Sequence, residues 1–229
     1  MIHCYKVGRA FTKFFCAALW FFTLTGAGPL SDKPVILAFG DSLTFGYQVP
    51  PEKSYPSRLQ RVLKAKGYPH RVINAGVSGD TTAGGASRID WLLRHDPQIV
   101  IIELGANDGL RGLPVDEMQK NLSYIIEACQ KHGAKVLLAG MKITPNLGRE
   151  YTESFEQVFH DVAEKYDVPL IPFFLEGVAG VQELTQADGL HPLEKGYAKI
   201  TITVWKYLEP LLDDDEDDDD KDDDDDDEE

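Results

Sequence analysis

Short apolar runs alternate with longer amphipathic stretches along the middle of the chain. Between the short runs, apolar side chains recur at three- and four-residue spacing, as in the stripe from Met118 to Cys129, and this spacing predicts helices. A last helix is predicted from about Pro192 to Leu208. The short runs are rich in Val, Ile and Leu and are bounded by glycine or proline, which is typical of strands buried on both faces. These predicted strands lie at residues 34–39, 71–75, 98–104, 135–140 and 168–174.

The order of these elements indicates the fold class. Strands that alternate with helices of about ten or more residues are typical of repeated βαβ units. The sequence therefore predicts an α/β fold, a three-layer αβα sandwich with a five-stranded parallel sheet. Right-handed crossovers place the loops that follow the strands along one edge of the sheet. Neither an internal repeat nor a linker interrupts residues 34–212.

The N-terminal segment differs in composition from this middle part. Residues 1–13 carry three basic side chains and no acidic one, and the apolar stretch FFCAALWFFTLTGAG follows from Phe14 to Gly28. This pattern predicts a secretory signal peptide over residues 1–27 and a secreted or periplasmic mature protein. The apolar stretch is shorter than the roughly 20 residues of a spanning helix, so we expect no stable membrane span after signal removal. An uncleaved N-terminal anchor is the alternative.

The C-terminal segment, residues 213–229, is almost entirely acidic. It holds 16 of the 38 acidic residues and one of the 23 basic ones, which leaves 22 of each in residues 1–212. The formal net charge of -15 therefore comes wholly from this segment. A block of like charge repels itself and buries no apolar area, so we expect a disordered, solvated tail after a domain of residues 28–212. The alternative is a weak binder of divalent cations or of a basic partner. The domain is not basic enough to indicate nucleic acid as a partner.

Only one cysteine, Cys129, lies outside the predicted signal peptide. A single thiol cannot form an internal disulfide, and Cys129 shares the apolar stripe of a predicted helix. We therefore expect a thiol packed in the core and not a nucleophile.

Glycines and polar side chains occur together in the loops after the first three predicted strands. The loops read GDSLTFG at 40–46, GVSGDTTAGG at 76–85 and GANDGLRG at 105–112. Because the carboxyl ends of parallel strands form the usual ligand crevice, these loops are expected to converge there. A sharp glycine turn after the first strand would present Ser42 at the floor of this crevice.

A serine nucleophile needs a base, and histidine is the side chain best suited to that work near neutral pH. Among the six histidines, His191 stands three residues after Asp188 in ADGLHP, where a carboxylate can fix the imidazole tautomer. A lone D-x-x-H motif is weak, and a surface histidine is the alternative on that evidence alone.

Acyl transfer also needs hydrogen-bond donors for the developing oxyanion. The backbone N–H groups of Ser42 and Gly79 and the side-chain amide of Asn107 are candidates. Simple turn geometry is the alternative role of Gly79, and an Asx-turn cap is the alternative for Asn107.

Four segments in sequence order resemble the four motif blocks of the GDSL or SGNH hydrolases. They are GDSL at 40–43, SGD at 78–80, GAND at 105–108 and DGLH at 188–191. The resemblance covers nearly all of residues 34–212 and is strongest to the bacterial periplasmic subfamily of acyl-CoA thioesterases, lysophospholipases and arylesterases. It implies a flavodoxin-like SGNH-hydrolase fold that uses neither a metal nor an organic cofactor.

The same resemblance implies roles for individual residues. Ser42, Asp188 and His191 would form a catalytic triad, and Ser42, Gly79 and Asn107 an oxyanion hole. Substrate contacts would come from Asp41, Leu110 and Pro145, with residues 107–112 as a mobile flap; an ordinary surface loop is the alternative for that segment.

The expected function is that of a serine hydrolase, active as a monomer on small-molecule acyl esters or thioesters through an acyl-enzyme on Ser42. Arylesterase, acyl-CoA thioesterase and lysophospholipase activities all fit this expectation. One alternative is a carbohydrate O-deacetylase on the same fold. Another is a protein that binds cations or a partner through its acidic tail.

Overall fold

A five-stranded, wholly parallel sheet forms the centre of the protein, in agreement with the predicted α/β class. The computed structural model describes residues 33–213, so the predictions for the signal peptide and for residues 214–229 lie outside the described residues. The strand order is β2-β1-β3-β4-β5, the flavodoxin-like order. The strands are β1 (Val35–Gly40), β2 (Arg71–Gly76), β3 (Pro97–Glu103), β4 (Lys135–Ala139) and β5 (Leu170–Ile171).

Helices connect the strands and form two packed groups. Helix α2 packs against α7, while α5 packs against both α3 and α6. Short 3₁₀ helices lie at Pro51–Lys53, Leu93–His95 and Pro145–Leu147. The α-helices are α1 (Ser42–Phe45), α2 (Tyr55–Lys66), α3 (Thr82–Leu92), α4 (Ala106–Leu110), α5 (Val115–Lys131), α6 (Arg149–Tyr166) and α7 (Glu194–Asp213).

The two central strands, β1 and β3, supply the middle of the hydrophobic core. Every residue of β1 is buried, which explains its unbroken apolar run. Cys129 on α5 is also completely buried, and burial raises the pKa of its thiol to about 12. The prediction of a packed core thiol is therefore confirmed.

Strand β5 is much shorter than the predicted run of residues 168–174. It contains only Leu170 and Ile171, with Pro169 before it and Pro172 after it. Proline has no N–H, so neither Pro169 nor Pro172 can donate to β4, although the Pro169 carbonyl still accepts the Leu138 N–H at 2.9 Å.

Helix α7 extends beyond the predicted end at Leu208. It continues through Pro210 to Asp213, because Leu212 is buried in the core and Lys135 Nζ donates a hydrogen bond to the Leu211 carbonyl at 3.0 Å. None of the helices within residues 33–213 combines the length and the apolar character needed to cross a membrane.

Candidate active site

The turn after β1 presents Ser42 at the carboxyl edge of the sheet. Asp41 caps the N-terminus of α1, and Ser42 is the first residue of that helix. Helix α1 lies so close to the strands that only glycine fits beneath it. A Cβ atom at Gly40 would lie 2.1 Å from Thr44 Oγ1, and one at Gly76 would lie 2.2 Å from the Phe45 backbone nitrogen. The glycines of the two strand ends thus allow the approach that places the Ser42 hydroxyl.

A chain of hydrogen bonds runs from Ser42 through His191 to Asp188. Ser42 Oγ lies 2.9 Å from His191 Nε2, and His191 Nδ1 lies 2.7 Å from Asp188 Oδ2. The second oxygen, Asp188 Oδ1, accepts the backbone N–H groups of Leu190 and His191. Partial burial raises the pKa of Asp188, but the hydrogen bonds from the His191 side chain and from these N–H groups outweigh it and leave the pKa below its usual value. An ionised Asp188 holds the Nδ1 proton of the imidazole, and Nε2 is then free to accept the serine proton.

Further contacts fix the loop that carries His191. The ring of Tyr47 packs against the imidazole with 4.6 Å between ring centroids. Gln186 Nε2 donates to the Tyr47 carbonyl at 2.9 Å, and the Gln186 backbone N–H donates to the His191 carbonyl at 2.7 Å. The loop of His191 and the turn after β1 are therefore tied together by backbone as well as side-chain contacts.

The candidate oxyanion donors come from the loops after β2 and β3. Asn107, on α4, donates its side-chain amide to Asp41 Oδ2 at 2.9 Å, directly beside Ser42. Gly79 has a φ of 82°, a conformation that favours glycine, and its carbonyl accepts Arg111 Nη2 at 2.8 Å. Arg111 thus links the Gly79 loop to the segment that carries Asn107.

The side chain of Asp41, for which a substrate contact is expected, is completely buried. It accepts hydrogen bonds from the Leu43 backbone and from Asn107. Burial raises the pKa of Asp41 to about 6, against the opposing effects of the Leu43 N–H, the Asn107 amide and the charge of His191.

The segment expected to contact the substrate lies at the surface beside residues 143–147. A Cβ atom at Gly109 would lie 2.7 Å from Ile143, and one at Gly112 would lie 3.4 Å from Leu147. Leu110 itself is 54% exposed, which leaves its side chain available to a ligand. Pro145 begins a 3₁₀ helix, but its side chain is outside the described part of the chain.

Two charged residues at this edge, one half-buried and one buried, are not identified from the sequence. Arg88, on α3, spans Asp80 and two strand-end carbonyls. No pattern in the sequence distinguishes it from a surface arginine. Glu103, at the end of β3, is completely buried. An acidic side chain inside the apolar run QIVIIEL was a signal that could have identified it.

The described residues contain no group of three or more His, Cys, Asp or Glu side chains arranged to hold a metal ion.

Comparison with known proteins connects this geometry to a family. Residues 38–199 match the model of the GDSL-like Lipase/Acylhydrolase family. The chain is 43% identical over 178 residues to Esterase TesA of Pseudomonas aeruginosa, covering 77% of this chain and 89% of that protein. It is 45% identical over 173 residues to an arylesterase of Vibrio mimicus, covering 75% and 86%. It is 36% identical over 179 residues to Thioesterase 1/protease 1/lysophospholipase L1 of Escherichia coli, covering 78% and 85%.

A solved structure shows the same similarity in three dimensions. The esterase EstA from Pseudoalteromonas, in a form inhibited by monoethylphosphonate, superposes with a TM-score of 0.76 at 36% identity, covering 79% of this chain and all of that one. The family match spans more than half of the chain and includes the turn at Ser42 and the loop at His191. The chain therefore belongs to the GDSL-like lipase/acylhydrolase family and is an ester hydrolase with the flavodoxin-like SGNH fold.

Proposed function

We propose that this protein hydrolyses acyl esters and thioesters through a covalent acyl-enzyme on Ser42. The observation that carries the proposal is the continuous hydrogen-bonded chain from Ser42 Oγ through both ring nitrogens of His191 to the Asp188 carboxylate. A hydroxyl, an imidazole and a carboxylate in this arrangement are the groups that activate a serine for attack on a carbonyl.

In the acylation step, Ser42 Oγ attacks the acyl carbonyl while His191 Nε2 takes the hydroxyl proton. The negative charge that develops on the carbonyl oxygen is stabilised by the Ser42 and Gly79 backbone N–H groups and the Asn107 amide. The tetrahedral intermediate then collapses, the bond to the leaving alcohol or thiol breaks, and the imidazolium of His191 returns a proton to that leaving group. Asp188 stabilises the imidazolium while it exists.

In the deacylation step, water attacks the acyl-enzyme and His191 again takes the proton. The second intermediate expels Ser42, which recovers its proton from His191, and the carboxylic acid is released. Ester and thioester cleavage place negative charge on the same carbonyl oxygen, so one set of donors serves both reactions.

The names of the relatives support the substrate class and do not select within it. They include an arylesterase and a protein named as both thioesterase and lysophospholipase. A secreted or periplasmic monomer that acts on small-molecule acyl compounds is the corresponding proposal for this chain.

The test is replacement of Ser42 by alanine, with Ser154→Ala as the matched control on the exposed surface of α6. We expect Ser42→Ala to lose on the order of 10⁴-fold or more in kcat towards a nitrophenyl acyl ester, and the control to match the parent. Mass spectrometry after treatment with an ethyl phosphonate ester should show one adduct, on Ser42, in the parent and the control. If Ser42→Ala hydrolyses the ester as fast as the parent, the proposed mechanism is wrong.

A further inference from the structure

Two carboxyl side chains lie buried together behind the Ser42 turn. Asp41 and Glu103 are both completely inaccessible to solvent. Gly40, which precedes Asp41, is the register partner of Glu103 on the adjacent strand. A Cβ atom at Gly40 would lie only 2.7 Å from Glu103 Oε2, so the carboxyl of Glu103 lies directly against this turn.

Glu103 holds the helix that carries Ser42. Thr44, two residues after Ser42, donates its hydroxyl to Glu103 Oε2 at 2.7 Å. The same hydroxyl lies 3.4 Å from the phenol oxygen of Tyr55. Thr44 is itself completely buried, so this contact is shielded from water. The hydrogen bond between Thr44 and Glu103 therefore anchors the short helix α1 from below, in addition to the N-terminal cap that Asp41 provides.

Asp41 determines which way the Asn107 amide faces. Its Oδ1 accepts the Leu43 N–H at 2.9 Å, and its Oδ2 accepts Asn107 Nδ2 at 2.9 Å. An ionised carboxylate only accepts hydrogen bonds, so it selects the NH₂ group of Asn107. One N–H of that group is used by Asp41, and the second is left to serve an oxyanion.

Two carboxyls this deeply buried and this close do not both ionise at neutral pH. Burial, followed by the negative charge of Asp41, raises the pKa of Glu103 well above its usual value. The side chains of Thr44, Asn107 and His191 and the phenols of Tyr55 and Tyr197 also face the pair. The Thr44 hydroxyl and the backbone N–H groups of Asp41 and Thr44 lower the pKa of Glu103 against the larger effects of burial and of the Asp41 charge. Burial, with a smaller contribution from the carboxyl charges, raises the pKa values of both phenols. Both phenols therefore remain neutral.

The hydrogen-bonding pattern assigns the proton to Glu103. Within residues 33–213, Glu103 Oε1 has no group that donates a hydrogen bond to it. A buried carboxylate oxygen without a donor is costly, whereas a protonated carboxyl can donate to the Asp41 carboxylate. Such a side-chain hydrogen bond from Glu103 also lowers the pKa of Asp41. We assign the charge of the pair to Asp41, because both of its carboxylate oxygens accept a hydrogen bond, whereas Glu103 Oε1 accepts none within residues 33–213.

We propose that Glu103 is a positioning residue for ester hydrolysis: its neutral carboxyl anchors the Ser42 helix through Thr44 and keeps the negative charge on Asp41, which orients Asn107. This inference rests on the proposed function of Ser42 and Asn107. Glu103 itself is beneath the turn and does not touch the substrate.

The experiment compares Glu103→Gln, Glu103→Leu and Thr44→Val in the full chain. Glutamine reproduces a protonated carboxyl, since its amide donates to Asp41 and its oxygen accepts from Thr44. We expect Glu103→Gln to keep kcat within about threefold of the parent. Leucine keeps the volume but loses both hydrogen bonds, and we expect kcat to fall about 30-fold with KM within about twofold, because the loss acts on the orientation of the reacting groups. Thr44→Val removes the hydrogen bond to Glu103 and the longer contact with Tyr55 but leaves Glu103 beside Asp41, so its kcat should fall between those of the two Glu103 variants.

A phosphonate that labels Ser42 provides the count of active sites, so that kcat is expressed per labelled serine. A residue with only a structural role would change the number of labelled sites and leave kcat per site unchanged. That outcome overturns the proposal. It is also overturned if Glu103→Gln loses as much activity as Glu103→Leu, because an ionised Glu103 would then be required. If Glu103→Leu does not fold, the proposal is overturned when Glu103→Gln loses as much activity as Thr44→Val, or when Thr44→Val leaves kcat per labelled serine unchanged. If Ser42→Ala hydrolyses the ester as fast as the parent, the proposed function is refuted, independently of the Glu103 and Thr44 variants.

Discussion

The guanidinium of Arg88 binds the carboxylate of Asp80 at 2.8 Å and, through its other nitrogens, joins the ends of two strands. Nη1 donates to the Ala75 carbonyl of β2 at 2.8 Å, and Nη2 donates to the Gly40 carbonyl of β1 at 2.9 Å. One side chain thus ties the loop of Gly79 to the turn of Ser42. The guanidinium carbon of Arg88 also lies over the ring of Phe39, 4.3 Å from the ring centroid.

Replacement of Arg88 by alanine should lower both stability and activity. It leaves Asp80, which is largely buried, without its cation, and we expect a loss of roughly 2–4 kcal/mol in the free energy of unfolding. We also expect kcat to fall by about 10-fold to 100-fold, because the loop of Gly79 is no longer held against the strand ends. Lysine should restore only part of either property, since one ammonium group cannot span three acceptors.

Urea denaturation and nitrophenyl ester kinetics measure these two effects. Arg149→Ala is the control, because Arg149 pairs with Glu153 on the exposed surface of α6 and should contribute less than about 1 kcal/mol. Equal stability losses for the two alanine variants would contradict the assigned role of Arg88.

The amide of Asn107 can be tested separately from the triad. Asn107→Ala keeps Ser42, His191 and Asp188 but removes one of the proposed oxyanion donors, and we expect kcat to fall about 10²-fold to 10³-fold with little change in KM. Asn107→Asp should be worse, because it places a second carboxylate against Asp41. Steady-state kinetics measure kcat and KM of each variant. The control is Gln130→Ala, which alters an exposed amide on α5. A variant that loses affinity and keeps kcat would argue for substrate binding by Asn107 in place of oxyanion stabilisation.

Local sequence patterns determine the central strands and the polar residues that directly follow them. The strands β1 and β3 were predictable because both faces are buried, and the loops after them carry their chemistry in a few adjacent residues. Asn107 was identifiable as a polar residue after a strand, and its place beside Ser42 followed from the parallel sheet. The burial of Asp41 was not predictable, because the motif GDSL gives the order of residues and not the direction in which each side chain points.

Other features depend on contacts between distant parts of the chain. Arg88 lies 48 residues from Gly40 in sequence, and nothing near it indicates that its guanidinium meets three acceptors. The short length of β5 depends on where two prolines interrupt pairing with β4. The extension of α7 past Pro210 depends on the burial of Leu212, which outweighs the hydrogen bond lost at proline.

The exposed side chain of Leu110 provides a test of acyl-chain recognition. If the segment 107–112 covers the acyl chain, Leu110→Ser should lower kcat/KM for medium-chain nitrophenyl esters by about fivefold to tenfold and leave the acetyl ester nearly unchanged. The expected loss corresponds to partial burial of one leucine side chain, about 1 kcal/mol. Ile202→Ser is the control, because Ile202 is 71% exposed on α7.

A chain-length series of nitrophenyl esters measures this effect, and acetylated sugars belong in the same series. Faster hydrolysis of acetylated sugars than of medium-chain esters by the parent would favour the carbohydrate deacetylase alternative. Identical chain-length profiles for Leu110→Ser and the parent would remove Leu110 from the substrate site.

The buried carboxyl pair also predicts how stability changes with pH. Burial raises the pKa of Glu103 in the folded protein, so folding takes up a proton above the pKa of an unfolded glutamate, about 4.3. The contribution of Glu103 to stability is therefore fully present below about pH 4 and decreases by about 1.4 kcal/mol per pH unit as the pH rises towards the folded pKa. Glu103→Gln removes this proton uptake, and its stability relative to the parent should increase from about pH 5 to pH 7, by at most about 1.4 kcal/mol per pH unit. Urea denaturation at these two pH values measures the difference; a stability difference that does not change with pH would mean that Glu103 is already ionised in the folded protein.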